Sequence, residues 1–244
     1  MGPGQDHRRR PRAAARPGLQ PLTSRLLEVA PERLVRWVDG FAARHGASRT
    51  SFLVAGEEVG RGSPADAVRV VADDGASALF TVPWPPLAPP PTSDPSFVAG
   101  VLARHAARPR TLGLLLVRRG GWAVGVASEG RLLVHKTGSR YVQSRTAAGG
   151  WSQQRYARRR GNQADALVQA VVEAAATRLD AGSLHGLVPG GDRALVDAVL
   201  ADPSLAAVAA LPRGPLLDVP DPKAAVLEAA AGRARAVRVL LDQP

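Results

Sequence analysis

One segment carries most of the residues that could act on a nucleic acid. Residues 136–163 contain seven basic residues and no acidic one. The basic residues are Lys136, Arg140, Arg145, Arg155, Arg158, Arg159 and Arg160. Tyr141, Trp151 and Tyr156 are interleaved with them. Because guanidinium groups neutralise phosphates and aromatic rings stack on bases, the pattern favours RNA binding over an arginine-rich solvated helix face.

The same segment contains a glycine pair followed by two glutamines. Gly149 and Gly150 precede Trp151, and Gln153 and Gln154 come shortly after it. Glycine lets the backbone take positive φ and approach a ligand closely. A glutamine amide both donates and accepts hydrogen bonds, so it could order a water against an ester without adding charge among phosphates. Taken alone, the motif also fits a flexible hairpin loop ahead of a helix.

The elements around this segment predict an α/β domain. Strand-like runs with hairpin-sized glycine connections cover residues 111–117, 122–127, 131–137 and 140–145. A long apolar stripe predicts a helix over residues 153–179. After it we expect strands at 184–188, 206–211 and 216–219, and helices at 192–201 and 222–235. A meander, a long helix and then alternating strands and helices indicate a mixed sheet.

The whole chain is expected to divide into four parts. They are a disordered basic tail over residues 1–20, a small α/β domain over 21–82, a proline-rich linker over 83–95 and a catalytic domain over 96–244. In the small domain we expect a helix over 24–45 and strands at 51–55, 67–72 and 78–82. A further helix over 96–107 is expected to lead into the catalytic domain.

Composition limits the classes of function. The 244 residues are 45% hydrophobic and carry a net charge of +11, which favours a polyanionic partner. With no cysteine there is no disulfide framework and no thiolate metal site. No secretory signal and no apolar run long enough to span a membrane are visible, so we expect a cytoplasmic protein without a membrane partner.

The stretch GGWSQQRYARRR over residues 149–160 resembles a known catalytic loop and helix. It is similar to the Gly-Gly-Gln region in the middle domain of archaeal and eukaryotic class-one peptide release factors. It resembles more closely the actinobacterial release-factor-like peptidyl-tRNA hydrolases of ribosome quality control. LVHK at 133–136 and GLVPGG at 186–191 extend the resemblance to about residues 110–240.

The resemblance assigns roles to individual residues. Gly149, Gly150 and the 155–160 run match the family position by position, but Trp151 stands where the release factors have glutamine. One inserted residue would bring Gln153 into the catalytic role, with Gln154 as the second candidate. The predicted RNA-binding residues are Arg140, Arg145, Trp151, Arg155, Arg158, Arg159 and Arg160.

The resemblance also implies a fold and an activity. The fold would be mixed-sheet and ribonuclease-H-like, as in the release-factor middle domain. The activity would be codon-independent release of nascent chains from stalled ribosomal large subunits by hydrolysis of peptidyl-tRNA. No metal and no cofactor is implied, and a monomer is expected. The partners would be ribosomal RNA of the large subunit and peptidyl-tRNA.

Two other functions remain open on the sequence. A non-catalytic ribosome- or tRNA-binding factor could keep the loop as an anchor, and the displaced glutamine is the best argument for it. A general RNA-binding protein would show salt-dependent binding without preference for ribosomes. The histidines form no pair with zinc-ligand spacing, and His135 and His185 are predicted to be core histidines of strands.

Overall fold

A computed structural model of the chain describes residues 23–54, 66–139 and 152–243, and for residues 23 and 152–162 it describes the backbone alone. The predicted tail over 1–20 lies outside these ranges. The described strands are β1 (Thr23–Val29), β2 (Ser48–Leu53), β3 (Ala67–Ala72), β4 (Ser77–Thr81), β5 (Thr111–Arg118), β6 (Gly121–Ser128), β7 (Arg131–Gly138), β8 (Gly186–Gly191) and β9 (Val237–Gln243). The described α-helices are α1 (Leu34–His45), α2 (Pro95–Ala106), α3 (Ser152–Arg178), α4 (Arg193–Leu200), α5 (Ala206–Ala209) and α6 (Ala224–Arg233).

Short polar signals start two of the helices. Asp94 accepts a hydrogen bond from the Phe97 backbone N–H at 2.7 Å, and Pro95 occupies the first turn of α2. Asp192 accepts from the Ala194 N–H at 3.0 Å at the start of α4. Such caps satisfy backbone donors that have no partner inside the helix, so they fix where each helix begins.

Five antiparallel strands form the first sheet, in the order β1-β9-β4-β3-β2. Alternate residues of these strands are buried on one face, where α1 and α2 pack. This core contains Leu34, Val38, Phe41, Val68, Val70, Phe80, Val98, Leu102, Val237 and Val239. One face of the sheet is therefore packed by helices, in the usual manner of an antiparallel sheet.

The second sheet has the order β7-β6-β5-β8, and β8 alone runs parallel to its neighbour. Helices α3 and α4 pack on one face, where Leu115 and Val124 meet Leu167 and Val171. Helix α6 packs on the opposite face, against residues such as Leu114. The central strand β5 is buried from both sides, which explains its nearly continuous apolar sequence. The expected mixed α/β architecture is confirmed, while its likeness to ribonuclease H stays a prediction.

Several local predictions were wrong. Residues 24–29 form strand β1, not the start of a helix, because they pair along their whole length with β9. Residues 206–209 form the short helix α5, not a strand. The predicted strand at 216–219 amounts to one bridge, between Leu217 and Gly190. Strand β9 has no counterpart among the predicted elements, since the last of them is the helix that ends at residue 235.

The packing also differs from the expected division of the chain. Helix α2 and strand β9, both assigned to the catalytic domain from the sequence, contribute Leu102 and Val239 to the core of the first sheet. Leu87, from the proline-rich stretch, is 9% exposed in the same core. Trp84 packs against the core beneath α6. The first sheet is thus built from both ends of the chain, since tertiary pairing outweighs position in the sequence.

None of the described helices combines the length and the apolar character needed to cross a membrane.

Candidate functional site

The predicted site falls between β7 and the first turns of α3. Arg140, Arg145, Gly149, Gly150 and Trp151 lie outside the described residues, as does the strand predicted at 140–145. The other predicted site residues belong to α3, whose backbone is described there without the side chains. They are Gln153, Gln154, Arg155, Arg158, Arg159 and Arg160.

On the strand side, the segment leaves the sheet at a closely packed glycine. Gly138 ends β7 and pairs with Trp122 of β6, which is 5% exposed. A Cβ placed on Gly138 would lie 2.5 Å from the Trp122 indole carbons Cε2 and Cζ2. Only glycine fits under the ring without a shift, so Trp122 fixes the position of the backbone at the end of β7.

Among the described strands β7 is an edge of its sheet, and most of its side chains face solvent. Leu133 and Val134 are 60% and 51% exposed, and His135 and Lys136 are exposed as well. Exposed edge strands usually carry charged side chains. Here the exposed Leu133 and Val134 come shortly before Lys136 in the sequence of the strand. The mixture of apolar and cationic side chains continues to within two residues of Gly138.

On the helix side, the second half of α3 packs against the second sheet. Its described core residues run from Leu167 to Ala175. Its C-terminal end lies near the start of β5, where a Cβ on Gly113 would be 3.4 Å from the Leu179 side chain. Gly138 lies at the other end of that sheet, because it pairs with Trp122, which in turn pairs with Val117 near the end of β5. Helix α3 therefore runs back along the sheet, with its N-terminal end at the end marked by Gly138.

The helix is longer than the strands on which it packs. Its 27 residues span roughly 40 Å, whereas the eight residues of β5 span about 26 Å. Fixed at its C-terminal end, α3 extends past the sheet by roughly 14 Å, on the basis of these rises per residue. Its first turn contains no acidic residue. The helix dipole adds partial positive charge there, so this end favours anions.

A cationic hairpin lies at the same end of the sheet. Arg119 follows β5, its side chain is 64% exposed, and its Nε lies 3.8 Å from the Asp192 Oδ2. Arg118 donates from Nη1 to the Val219 carbonyl. Arg119 is therefore an exposed and weakly paired cation at the same end of the sheet as Gly138. Arg119 could not be recognised from the sequence, because two arginines in a turn have no distinctive pattern.

The histidines behave differently from the sequence-based expectation. His135 and His185 are exposed, so their prediction as core residues was wrong. His185 accepts a hydrogen bond from the Thr111 N–H through Nδ1 at 3.0 Å. Among the described histidines it is His105 that is buried, and its Nε2 lies 2.9 Å from the Pro83 carbonyl oxygen. Burial lowers the pKa of His105, which favours a neutral ring donating to that carbonyl.

No side chains suited to holding a metal come together in the described ranges 23–54, 66–139 and 152–243, where no group of three or more His, Cys, Asp or Glu residues has that arrangement.

Comparison with known proteins gives one family match. Residues 110–240, more than half of the chain, match the family described as "Actinobacteria/chloroflexi VLRF1 release factor". The matched region includes the second sheet, the segment with the glycine pair, and α3. None of the curated proteins matches the sequence.

Solved structures give more distant likenesses. A crystal structure of the archaeal translation termination factor aRF1 is 13% identical, with a TM-score of 0.39, over 85% of this chain and 73% of that one. The "Vms1 mitochondrial localization core" is 12% identical, with a TM-score of 0.35, over 70% of this chain and 74% of that one. Both likenesses are distant, with TM-scores below 0.5, and the family is shown by the match over residues 110–240 alone.

Proposed function

Because the chain belongs to the actinobacterial and chloroflexi VLRF1 release-factor family, we propose that it hydrolyses peptidyl-tRNA and frees nascent chains from stalled ribosomal large subunits. The observation that carries this proposal is the glycine pair and glutamine at the start of α3, inside the matched region. A role in release or rescue at the ribosome follows from the family. The reaction and its residues are our proposal.

The proposed chemistry is a water attack on an ester. The water oxygen bonds to the carbonyl carbon, the bond from that carbon to the ribose 3′ oxygen breaks, and a proton passes to that oxygen. Gln153 would hold the water through its amide, and Gly149 and Gly150 would let the backbone approach the ester. A neutral amide suits this site, because a charged base would need a partner among surrounding phosphates.

The assignment of Gln153 over Gln154 rests on the resemblance to the quality-control hydrolases. In those proteins a serine precedes the glutamine, as Ser152 precedes Gln153 here. Trp151 would stack on a base or support the loop, since an indole ring in an RNA environment suits stacking. Gln154 remains the second candidate.

The arginines of α3 would hold RNA phosphates. At about 100° per residue, positions 155, 158 and 159 fall on the side away from the stripe that contains Val171, whereas position 160 continues the line of Leu167. These helix positions suit phosphate contacts on the side away from the sheet for Arg155, Arg158 and Arg159, and nearer the sheet for Arg160. Arg140 and Arg145 would extend the same cationic surface, together with Arg119.

The shape of the described part supports a site that reaches into a cavity. A helix held at one end and extending roughly 14 Å past its sheet can carry a loop into a narrow space while the sheet stays outside. The catalytic centre of the large subunit is such a space, lined by RNA. The large subunit and its peptidyl-tRNA are therefore the proposed partners, and the protein is proposed to act as a monomer.

The experiment that tests this proposal measures release of a labelled nascent chain. Purified large-subunit complexes carrying peptidyl-tRNA would be incubated with the wild type, Gln153→Ala and Gln154→Ala. Gln169→Ala is the matched control, because Gln169 is an exposed glutamine farther along the same helix. We expect Gln153→Ala to slow release by about a hundredfold or more, the order of loss seen when a positioned catalytic group is removed.

Binding measured in parallel separates the proposal from its rival. The Gln153→Ala variant should sediment with the large subunit as the wild type does. A wild type that binds tightly and releases nothing would instead support a non-catalytic ribosome-binding factor, the function that the displaced glutamine favours. A loss of release in Gln154→Ala alone would keep the hydrolase and move the catalytic role by one residue.

A further inference from the structure

A groove lined by arginines lies at the end of the second sheet where β5 begins. Arg108 and Arg110 come between the end of α2 and the start of β5, and both line the groove. The turn between β6 and β7 contributes Glu129 and Gly130, and the end of α6 is followed by Arg235. Four separate parts of the chain thus meet around one space.

Arg110 is half-buried, and one of its terminal nitrogens is left available. Its Nη1 donates to the carbonyl oxygens of His105 at 3.0 Å and of Arg108 at 3.3 Å, at the end of α2 and just beyond it. Its Nη2 lies 3.5 Å from the Nε2 of His105, but that nitrogen carries the hydrogen donated to the Pro83 carbonyl. In the described part of the chain, Nη2 therefore has no acceptor.

The charges of the two arginines are not compensated by carboxylates. None of the ion pairs between described residues includes Arg108 or Arg110. Burial and the nearby charge of Arg108 lower the pKa of Arg110. Two neighbouring guanidinium groups at a partly buried position cost free energy unless an anion offsets their charge. The groove therefore favours an anion.

The other groups around the groove do not remove this positive charge. Arg235 is already paired with Glu32, at 2.7 Å. Glu129 is exposed, and it belongs to no ion pair in the ranges that the structure describes. Trp84 and Leu112 give the groove apolar walls. Such walls strengthen the attraction of the arginines for an anion, because they exclude water.

The size of the groove suits a single anionic group. It holds about 300 Å³ of space, part of it open to solvent. This is the lower end of the range for small-molecule pockets, about 300–1,000 Å³, so a whole cofactor would not be enclosed. A planar carboxylate is best matched by one guanidinium fork, whereas the tetrahedral phosphate can present its oxygens to two.

We propose that this groove binds a phosphate group, held by Arg108 and by the available Nη2 of Arg110. The phosphate would belong to an RNA backbone or would be a free phosphate ion. An RNA backbone is expected, because the groove is open to solvent and the chain has a net charge of +11.

The groove is separate from the proposed hydrolytic site. Arg110 directly precedes the first residue of β5, whereas Gly138 lies at the other end of the sheet, about 26 Å away along the strands. Leu112, in the groove wall, belongs to the core on the α6 face, and α3 packs on the opposite face. The inference therefore goes beyond the proposed function and does not depend on it. A phosphate bound here would be a contact remote from the loop.

Two probes distinguish the sources of the phosphate. One is inorganic phosphate, and the other is a single-stranded RNA of about 12 nucleotides, within the range that single-strand binders cover. The full chain is treated with phenylglyoxal, which modifies arginines, with and without each probe, and mass spectrometry follows every arginine. We expect RNA to slow the modification of Arg108 and Arg110. Arg104, an exposed arginine on α2, should react as before.

The two probes give different answers about the source. Protection by RNA and not by inorganic phosphate would assign the groove to an RNA backbone. Protection by inorganic phosphate and not by RNA would assign it to the free ion. Because the readout is local to each arginine, RNA bound only at α3 would leave Arg108 and Arg110 unprotected, and release of nascent chains does not enter the measurement.

Two variants with opposite expected effects test the charge of the groove. Arg108→Gln should raise the RNA concentration that half-protects Arg110 by about tenfold, because a charge-assisted hydrogen bond is lost. The Arg108 side chain is exposed and forms no hydrogen bond to another described residue, so the thermal midpoint should not change. Glu129→Gln should lower the half-protecting concentration by about twofold, because it removes a negative charge beside the phosphate.

The matched controls carry the same changes of charge elsewhere. Arg104→Gln is the control for Arg108→Gln, and it should leave the half-protecting concentration as it is. Asp73→Asn is the control for Glu129→Gln, because Asp73 is an exposed acid in the turn between β3 and β4 of the first sheet. Equal effects of the variants and their controls would mean that overall charge, and not the groove, determines the protection.

Three further results would overturn the proposal. The first is an unchanged reaction of Arg108 and Arg110 in the presence of either probe. The second is protection that extends equally to Arg104, which would show that RNA coats the surface without using the groove. The third is protection by an acidic peptide and by neither phosphate probe, which would make the groove a site for carboxylates.

Discussion

The closest packing beside the candidate site involves a glycine and an indole ring. Gly138 ends β7 under Trp122, and a Cβ there would approach two ring carbons to 2.5 Å. The ring cannot move away freely, because Trp122 is 5% exposed in the core under α3. The contact links core packing directly to the position at which the proposed catalytic segment begins.

We expect Gly138→Ala to lower the free energy of unfolding by about 1–3 kcal/mol, the usual cost of overpacking a core. The same change made in a Trp122→Leu background should cost less, because the smaller side chain leaves room for the methyl group. Urea unfolding of the four proteins in this double-mutant cycle measures the coupling. Gly232→Ala is the control, since a Cβ on Gly232 meets no atom within 4 Å.

Nascent-chain release should fall in Gly138→Ala more than its loss of stability explains, because the chain would leave the sheet on a different path. Additive costs in the cycle, with release unchanged, would show that the Trp122 contact does not guide the segment.

At the scale of the elements, an ion pair joins the first sheet to α6. Arg233 donates to both carboxylate oxygens of Glu28 on β1, at 2.7 and 2.8 Å, and to the Asp218 carbonyl oxygen at 2.7 Å. The hydrogen bonds from Arg233 lower the pKa of Glu28, and the pair raises the pKa of Arg233. A bidentate pair of this kind fixes two elements in relative orientation as well as in distance.

The pair predicts a pH dependence of stability. A carboxyl whose pKa is lowered by folding stabilises the native state above its ordinary value, 4.5, and loses that effect as the pH falls through the folded pKa. Glu28→Gln should therefore cost about 0.5–1 kcal/mol at pH 7, typical of partly exposed pairs, and progressively less as the pH falls below 4.5. Thermal unfolding of the wild type and of Glu28→Gln, measured from about pH 3 to pH 7, gives this difference in stability.

Glu32→Gln is the matched comparison, because Glu32 pairs with Arg235 nearby but is 59% exposed. Its effect at pH 7 should be smaller than that of Glu28→Gln. A destabilisation by Glu28→Gln that persists unchanged at pH 3 would mean that the ion pair is not its source.

The sequence predicts well those elements whose own residues show a clear hydrophobic periodicity or a clear turn. The meander of β5, β6 and β7 and the helix α3 have clear periodicity and glycine turns, and both were located within a few residues. Residues 24–29 were predicted wrongly because Leu26 and Leu27 also suit a helix, and only the pairing with β9 makes this segment a strand. The same long-range pairing places β9 in the first sheet, which no local pattern reveals.

The candidate site, too, was predictable from the sequence only in part. The chemistry proposed for Gly149, Gly150 and Gln153 was predicted from residue types, because glycine freedom and a neutral amide are properties of single residues. The supporting contact between Trp122 and Gly138 is not visible, since it depends on the register of β6 and β7. Likewise, the alignment of Leu26, Leu240 and Leu79 across three strands depends on the pairing of β9 with β1 and β4.

At the scale of the whole molecule, the net charge of +11 favours a polyanionic partner such as the proposed ribosomal RNA. Each arginine that neutralises a phosphate releases counterions, so binding weakens as salt rises. We expect Arg155→Ala and Arg159→Ala each to reduce the slope of log binding constant against log salt by about 0.7–0.9. The measurement is binding to purified large subunits over a range of potassium concentrations.

Arg36→Ala is the charge-matched control, because Arg36 is exposed on α1 of the first sheet's layer. It changes the net charge equally and should leave the slope as it is. Equal slope changes in all three variants would show that overall charge governs binding, with no local contact from α3.

The place of β9 also determines the order in which the molecule can fold. Strand β9 lies between β1 and β4, yet more than 150 residues of chain separate it from either one. Such contacts close a very long loop and are slow to form. During synthesis, the second sheet and α3 can assemble while the first sheet still has a gap where β9 belongs. The layer made first is thus completed last, and until then β1 and β4 each present an open edge to other chains.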